Sequence, residues 1–197
     1  MKKRLLITGS TFPRYENDTE PRFILDLAKY MKEYAEVTVL VPAAPKAADT
    51  EVLEGVSVIR YHYFPVHSLE TLCYPGAIVP RIREKKVRGL LVPWLFVSLW
   101  VHLFKMRKSY DIVQANWLIP QGIVQSFLKK PYIVTGHGAD VTSLNRGLLK
   151  KLKKRCLKNA WGVTAVSRPL MDVLDGIYKN GNQAVILSLI HISEPTR

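Results

Sequence analysis

Cysteine is scarce in this chain of 197 residues. Cys73 and Cys156 stand far apart, without Cys-x-x-Cys or Cys/His spacing, which excludes a disulfide framework and a thiolate zinc site. They read as reduced thiols of a cytoplasmic protein. No secretory leader is expected either: after Met1-Lys2-Lys3-Arg4 the apolar run stops at Thr8-Gly9-Ser10, too short for an h-region. No Gly-x-Gly-x-x-Gly loop is present, which disfavours nicotinamide or flavin dinucleotides. His62, His67 and His102 have no ligand spacing to one another or to carboxylates, and no Ser-His-Asp or paired-carboxylate arrangement can be read. No metal and no cofactor are expected.

Acidic residues are also in deficit, 16 Asp and Glu against 29 Lys and Arg, for a net charge of +13. Much of the excess lies in three clusters: Arg81–Arg88, Lys105–Lys108 and Lys150–Lys158. Solvated helix faces are one reading. Nucleic acid is a second, against which stands the lack of any recognised motif and of aromatics interleaved with the basic runs. An anionic membrane surface is the third. It draws on Leu90–Phe104, the most apolar segment, which lies between the first two clusters and carries Trp94, Phe96, Trp100 and Phe104. At about 15 residues, with Pro93 and His102 inside, that segment is shorter than the roughly 20 apolar residues a spanning helix needs. It is expected either as a buried helix or as an interfacial element with cations at headgroup level.

The chain is long enough to bury the core of one sizeable domain. Short apolar runs alternate with longer amphipathic stretches, the mark of βαβ units and a mostly parallel, doubly wound sheet. Strands are predicted at Arg4–Thr8, Glu36–Val41, Val56–Tyr61, Asp111–Ala115, Tyr132–Thr135 and Gly162–Ala165, with a weaker one at Ala184–Leu187. A helix is expected from Pro21, with Phe23, Leu27 and Met31, and Ile24 and Ala28 beside them, inward and Arg22, Asp26, Lys29 and Lys32 outward. A second helix is strongly basic, with Leu148, Leu152 and Cys156 on one face.

In doubly wound sheets, ligands bind beyond the carboxyl ends of the strands. Three loops occupy such places. The first, Gly9 to Pro21, is polar and opens onto a helix; Asn17 and Asp18 could hold sugar hydroxyls or serve turn chemistry. In the second, Thr135-Gly136-His137-Gly138-Ala139-Asp140, Gly136 and Gly138 remove bulk beside His137. His137 could donate to a hydroxyl or a phosphate oxygen, while Asp140 could accept from a hydroxyl or orient the loop. The third, Asn116 to Gly122, carries Trp117, which could pack on a sugar face or plug the core.

Taken in order, the stretches Thr11-Phe12-Pro13 through Asn17-Asp18, Pro21-Arg22-Phe23, Val37–Pro42, Asp111–Gly122, Thr135–Asp140 and Thr164-Ala165-Val166-Ser167 resemble the N-terminal domain of glycosyltransferase family 4. These are retaining transferases of the GT-B fold, and the resemblance runs from about residue 3 to 187. It implies a Rossmann-like α/β half-domain over 1–187, transfer of a sugar from a nucleotide diphosphate donor, and a lipid-linked or polysaccharide acceptor. It further implies a peripheral place at the inner membrane face. Asn17 and Asp18 would border acceptor and donor phosphate, and His137 would contact the transferred sugar as the catalytic position. Asp140 and Ser167 would carry over as substrate-binding positions, beside Gly136, Gly138 and Trp117 as further candidates for binding substrate. The family's C-terminal donor-binding domain has no counterpart in 197 residues, so this chain alone is expected to be inactive. The tail 188–197 resembles translated sequencing-adapter sequence and is expected to be artefactual or disordered. The alternative is a non-enzymatic α/β module that binds an anionic membrane or a partner protein.

Overall fold

The computed structural model describes residues 2–187, and the expected tail at 188–197 lies outside the described residues. The chain is α/β and divides into two compact units, at Val113/Gln114, within one strand.

The first unit holds β1 (Lys3–Thr8), β2 (Ala35–Pro42), β3 (Thr50–Leu53) and β4 (Val56–Tyr61), ordered β3-β4-β2-β1. β1 and β2 pair in parallel with Leu5 opposite Val37 and Ile7 opposite Val39, and β2 continues in parallel onto β4. Leu5, Leu6 and Ile7 are all buried. Such a continuous apolar run is what a strand covered on both faces requires. β3 is antiparallel to β4 and was not among the strands read from sequence. Its cue was Glu54-Gly55: both residues take positive φ, +46° and +79°, closing a two-residue hairpin whose twist matches its strands.

Helix α1 (Phe23–Met31) covers this half with Ile24, Leu25 and Ala28 buried, whereas Phe23, Leu27 and Met31 are only half-buried. The expected inward stripe is thus met most fully at Ile24 and Ala28, and Leu25 joins it. Arg22 and Lys29 each lie 2.7 Å from the Glu54 carboxylate, and Lys32 donates to Gly55 O, so the hairpin takes up the cations expected to face only water.

The basic segment α2 (Ile78–Glu84) leads through a short 3-10 turn, Lys86–Leu91, into α3 (Val92–Lys105). Lys86–Lys105 is thereby 20 residues, long and apolar enough by length and composition to cross a membrane, where the sequence reading had a shorter segment. Leu91, Leu95, Leu99 and Leu103 form a buried stripe at four-residue spacing. The other face of the segment leaves Leu90, Trp94, Val97, Trp100 and Phe104 exposed, so it is neither fully buried nor fully apolar-solvated. Tyr110 donates to Leu103 O and Ser98 Oγ to His62 O, pinning α3 to its own unit. His62, which had no partner by spacing, is brought to Glu70 at 2.6 Å and Asp49 at 3.2 Å, its ring stacked on His67.

The second unit carries the rest of β5 (Ile112–Asn116), then β6 (Tyr132–Gly136), β7 (Gly162–Ala165) and β8 (Gln183–Val185), in that order. β6, β7 and β8 run parallel. Its helices are α4 (Ile123–Gln125), α5 (Ala139–Thr142), α6 (Gly147–Asn159) and α7 (Arg168–Asp175). On α6 the buried residues are Lys153, Cys156 and Leu157, while Leu148 is exposed, so a lysine takes part of the place expected of leucine. Cys73 and Cys156 are free and buried, and burial pushes both thiols up, Cys156 to about 12.

Candidate functional site

The β1–α1 loop of the first unit is bonded to itself. Asp18 accepts from Arg14 N, Nε and Nη2 at 2.6 to 2.8 Å and from Thr19 N at 2.8 Å. The Arg14 guanidinium holds this buried carboxyl far below the usual carboxylate range. Asn17 is exposed at the turn tip with φ +61°, a left-handed conformation that asparagine tolerates. Beneath the loop lies Arg60, fully buried, ion-paired to Glu51 at 2.6 Å and donating to Pro13 O at 2.8 Å. Sequence reading passed over Arg60, although a lone cation inside Val56-Ser57-Val58-Ile59-Arg60-Tyr61 was its signal.

In the second unit, Asn116, Trp117, Gly136, His137, Gly138 and Asp140 form one cluster at the ends of β5 and β6. Trp117 N donates to Thr135 O at 2.9 Å, joining the strand ends. The Asp140 carboxylate then ties the two loops: Oδ2 accepts from Leu118 N at 2.8 Å, Oδ1 from His137 N at 3.1 Å and Gly138 N at 2.9 Å. Of its two expected roles, orienting the loop is the one this geometry performs. His137 Nε2 lies within hydrogen-bond distance of Asn116 Oδ1, at 3.1 Å. The Trp117 indole lies 4.9 Å from the His137 ring, with Trp117 itself at φ +74°, a conformation that costs a non-glycine residue about 1–3 kcal/mol.

The two glycines serve different ends. Gly138 has φ +151° with open space around a would-be Cβ, so its backbone requires glycine. A Cβ on Gly136 would stand 2.5 Å from Val141 Cγ2, so this glycine admits core packing rather than a ligand. Gly136→Ala is therefore expected to lower the unfolding free energy by about 1–3 kcal/mol, read by urea denaturation. Ser167 precedes α7 half-buried, and its hydroxyl makes no capping bond to that helix.

Burial pushes the His137 imidazole down to about 4, so the ring is neutral near pH 7. It can exchange hydrogen bonds there but offers no cation to a phosphate. Burial pushes Asp140 up against the pull of its three N–H donors and the Lys153 charge. Lys153, missed in the sequence as one of many lysines, donates to Val141 O, Ser143 O and Asn145 Oδ1 and braces the segment after Asp140 from behind. Among the described residues no three His, Cys, Asp or Glu are grouped to hold a metal ion.

The sequence matches the family described as Glycosyltransferase Family 4 over residues 21–187. The chain belongs to glycosyltransferase family 4. No curated protein matches this chain. Among solved structures it is similar to a sucrose-phosphate synthase from Thermosynechococcus elongatus, with TM-score 0.59 and 17% identity over 94% of this chain and 89% of that one. It is similar as well to Anabaena HepE in complex with UDP and glucose, with TM-score 0.55 and 14% identity over 94% of this chain. The chain spans 44% of the HepE chain. At these identities the likeness is one of fold, and the mostly parallel α/β architecture of this chain matches the Rossmann-like half of GT-B.

Proposed function

We propose that this chain is the acceptor-side half of a retaining glycosyltransferase that moves a sugar from a nucleotide diphosphate donor to a lipid-linked or polysaccharide acceptor. The observation that carries the reading is the His137 loop. A neutral imidazole stands at a strand's carboxyl end on a backbone clamped by Asp140, within a chain of family 4. In this role His137 meets the transferred sugar. Asn17 and Asp18 border the acceptor and the donor phosphate, Asn17 from the turn tip and Asp18 by shaping the loop. No metal or cofactor takes part. Stabilising the leaving diphosphate falls to a donor-binding half, because a neutral His137 cannot neutralise it. Radiolabelled transfer tests this: a full-length protein carrying this chain turns over a nucleotide sugar, His137→Ala lowers kcat at least tenfold, and this chain alone is inactive. Full activity in the His137→Ala protein would refute the assignment.

The exposed face of α3 favours a second element of the reading, a peripheral place at the cytoplasmic side of an anionic membrane. Trp94, Val97, Trp100 and Phe104 face outward, with exposed Arg83, Lys85 and Lys86 before them and Lys105, Arg107 and Lys108 after, while Arg81 and Arg88 are paired to Glu84, so apolar side chains and cations are presented together. The chain is expected to co-sediment with phosphatidylglycerol-containing vesicles and not with phosphatidylcholine alone, and Trp94→Ser with Trp100→Ser to weaken that binding at least tenfold. Vesicle binding without any transfer activity in the full-length protein would instead favour a non-enzymatic membrane module, and binding indifferent to lipid charge would remove the membrane role.

A further inference from the structure

We propose that Asn116 is the positioning residue of His137: its buried amide fixes which imidazole nitrogen carries the proton and which way the ring faces. The inference rests on the glycosyl-transfer reading only in taking His137 to meet the substrate.

Asn116 is the last residue of β5 and is 1% exposed, so its side chain has little room to turn. Its Oδ1 can only accept, and it lies 3.1 Å from His137 Nε2. A neutral imidazole has a single N–H, so this bond places that hydrogen on Nε2. The opposite arrangement would set the bare nitrogen against a carbonyl oxygen, two acceptors face to face. Both ends of the bond are held by the same frame. Trp117 N on Thr135 O fixes the end of β5, and His137 N on Asp140 Oδ1 fixes the start of the loop. The Trp117 indole at 4.9 Å further limits rotation of the ring.

The charged groups behind this site are Asp140 and Lys153. The Asp140 carboxylate is bonded to the N–H groups of Leu118, His137 and Gly138, and the Lys153 ammonium to Val141 O, Ser143 O and Asn145 Oδ1. The side chain bonded to Nε2 is an uncharged amide, which orients the ring without drawing a proton onto it. An aspartate in its place would favour the imidazolium.

Proton–nitrogen correlation spectra of the histidine rings in the 197-residue chain test this, with His137→Gln used to assign the signal. The wild-type ring is expected to carry its proton on Nε2. Asn116→Asp is expected to raise the His137 titration midpoint by about one pH unit or more, leaving His62, His67 and His102 in place. A proton on Nδ1 in the wild type would overturn the proposal. So would an unmoved midpoint in an Asn116→Asp chain whose backbone amide spectrum is native. If that variant does not fold, the wild-type tautomer decides alone. In the full-length protein, Asn116→Asp is expected to shift the pH profile of kcat, and an active enzyme with an unshifted profile would sink the proposal while sparing the glycosyl-transfer reading. Lack of transfer with every nucleotide sugar would sink that reading, and an Nε2 proton would still support the role of Asn116.

Discussion

Asp140→Ala is expected to lower the unfolding free energy by about 3–5 kcal/mol, the largest loss expected of a single truncation near the candidate site. One carboxylate satisfies Leu118 N, His137 N and Gly138 N, and its removal leaves three loop donors to find water or remain unpaired. It also leaves Lys153 buried without the opposite charge behind the loop. Asp140→Asn separates the parts of this effect. An amide oxygen can still accept from His137 N and Gly138 N, but its NH2 then faces Leu118 N, donor against donor. The asparagine variant should therefore lose about 1–3 kcal/mol, less than the alanine variant. Urea denaturation of both at pH 7 measures the difference. Equal stability of wild type and Asp140→Ala would mean that the two loops are held by something other than this carboxylate.

The second large effect is one of acid. The His137 ring titrates near 4 in the folded chain and near 6.5 when unfolded, because burial disfavours its charged form. Between those values the unfolded chain binds the extra proton, so stability falls as pH falls through that window and is fully present above about 6.5. The shift corresponds to at most about 3 kcal/mol, with the half-buried ring placing the true figure below that. His137→Gln removes the titration. The wild type should thus lose more stability than the variant between pH 7 and pH 4, and above pH 7 the gap between them should be constant. Unfolding curves for both proteins that run parallel through pH 7 to 4 would show that the imidazole is as hydrated in the folded chain as in the unfolded one.

Much of the architecture was legible because burial on two faces leaves a mark that local sequence carries. Leu5-Leu6-Ile7 and Val37 to Val41 read as central parallel strands, and both are. What escaped was short or turned on angle. β3 is four residues long, and only the Glu54-Gly55 hairpin reveals it. On α1 the stripe with Ile24 and Ala28 was legible, whereas burial of Leu25 and the hold of Glu54 on Arg22 and Lys29 depend on the angle at which the helix meets the sheet and the hairpin. Lys153 could not be told from its neighbours on α6, since nothing in a run of lysines says which one turns inward.

The same division runs through the candidate site. His137, Gly138 and Asp140 were singled out because glycine and histidine at the end of a strand are local features. The roles are not local: Asp140 acts through Leu118, 22 residues away, and Asn116 through His137, 21 residues away. By itself, then, the sequence determined the α/β class, the family and the stretches that carry the site, since these follow from apolar periodicity and residue order along the chain. Only the tertiary structure decided which side chains brace the loops and which amide faces the His137 ring. Hydrogen bonds between distant strand ends depend on where the fold brings them together, and that proximity is written in no single segment.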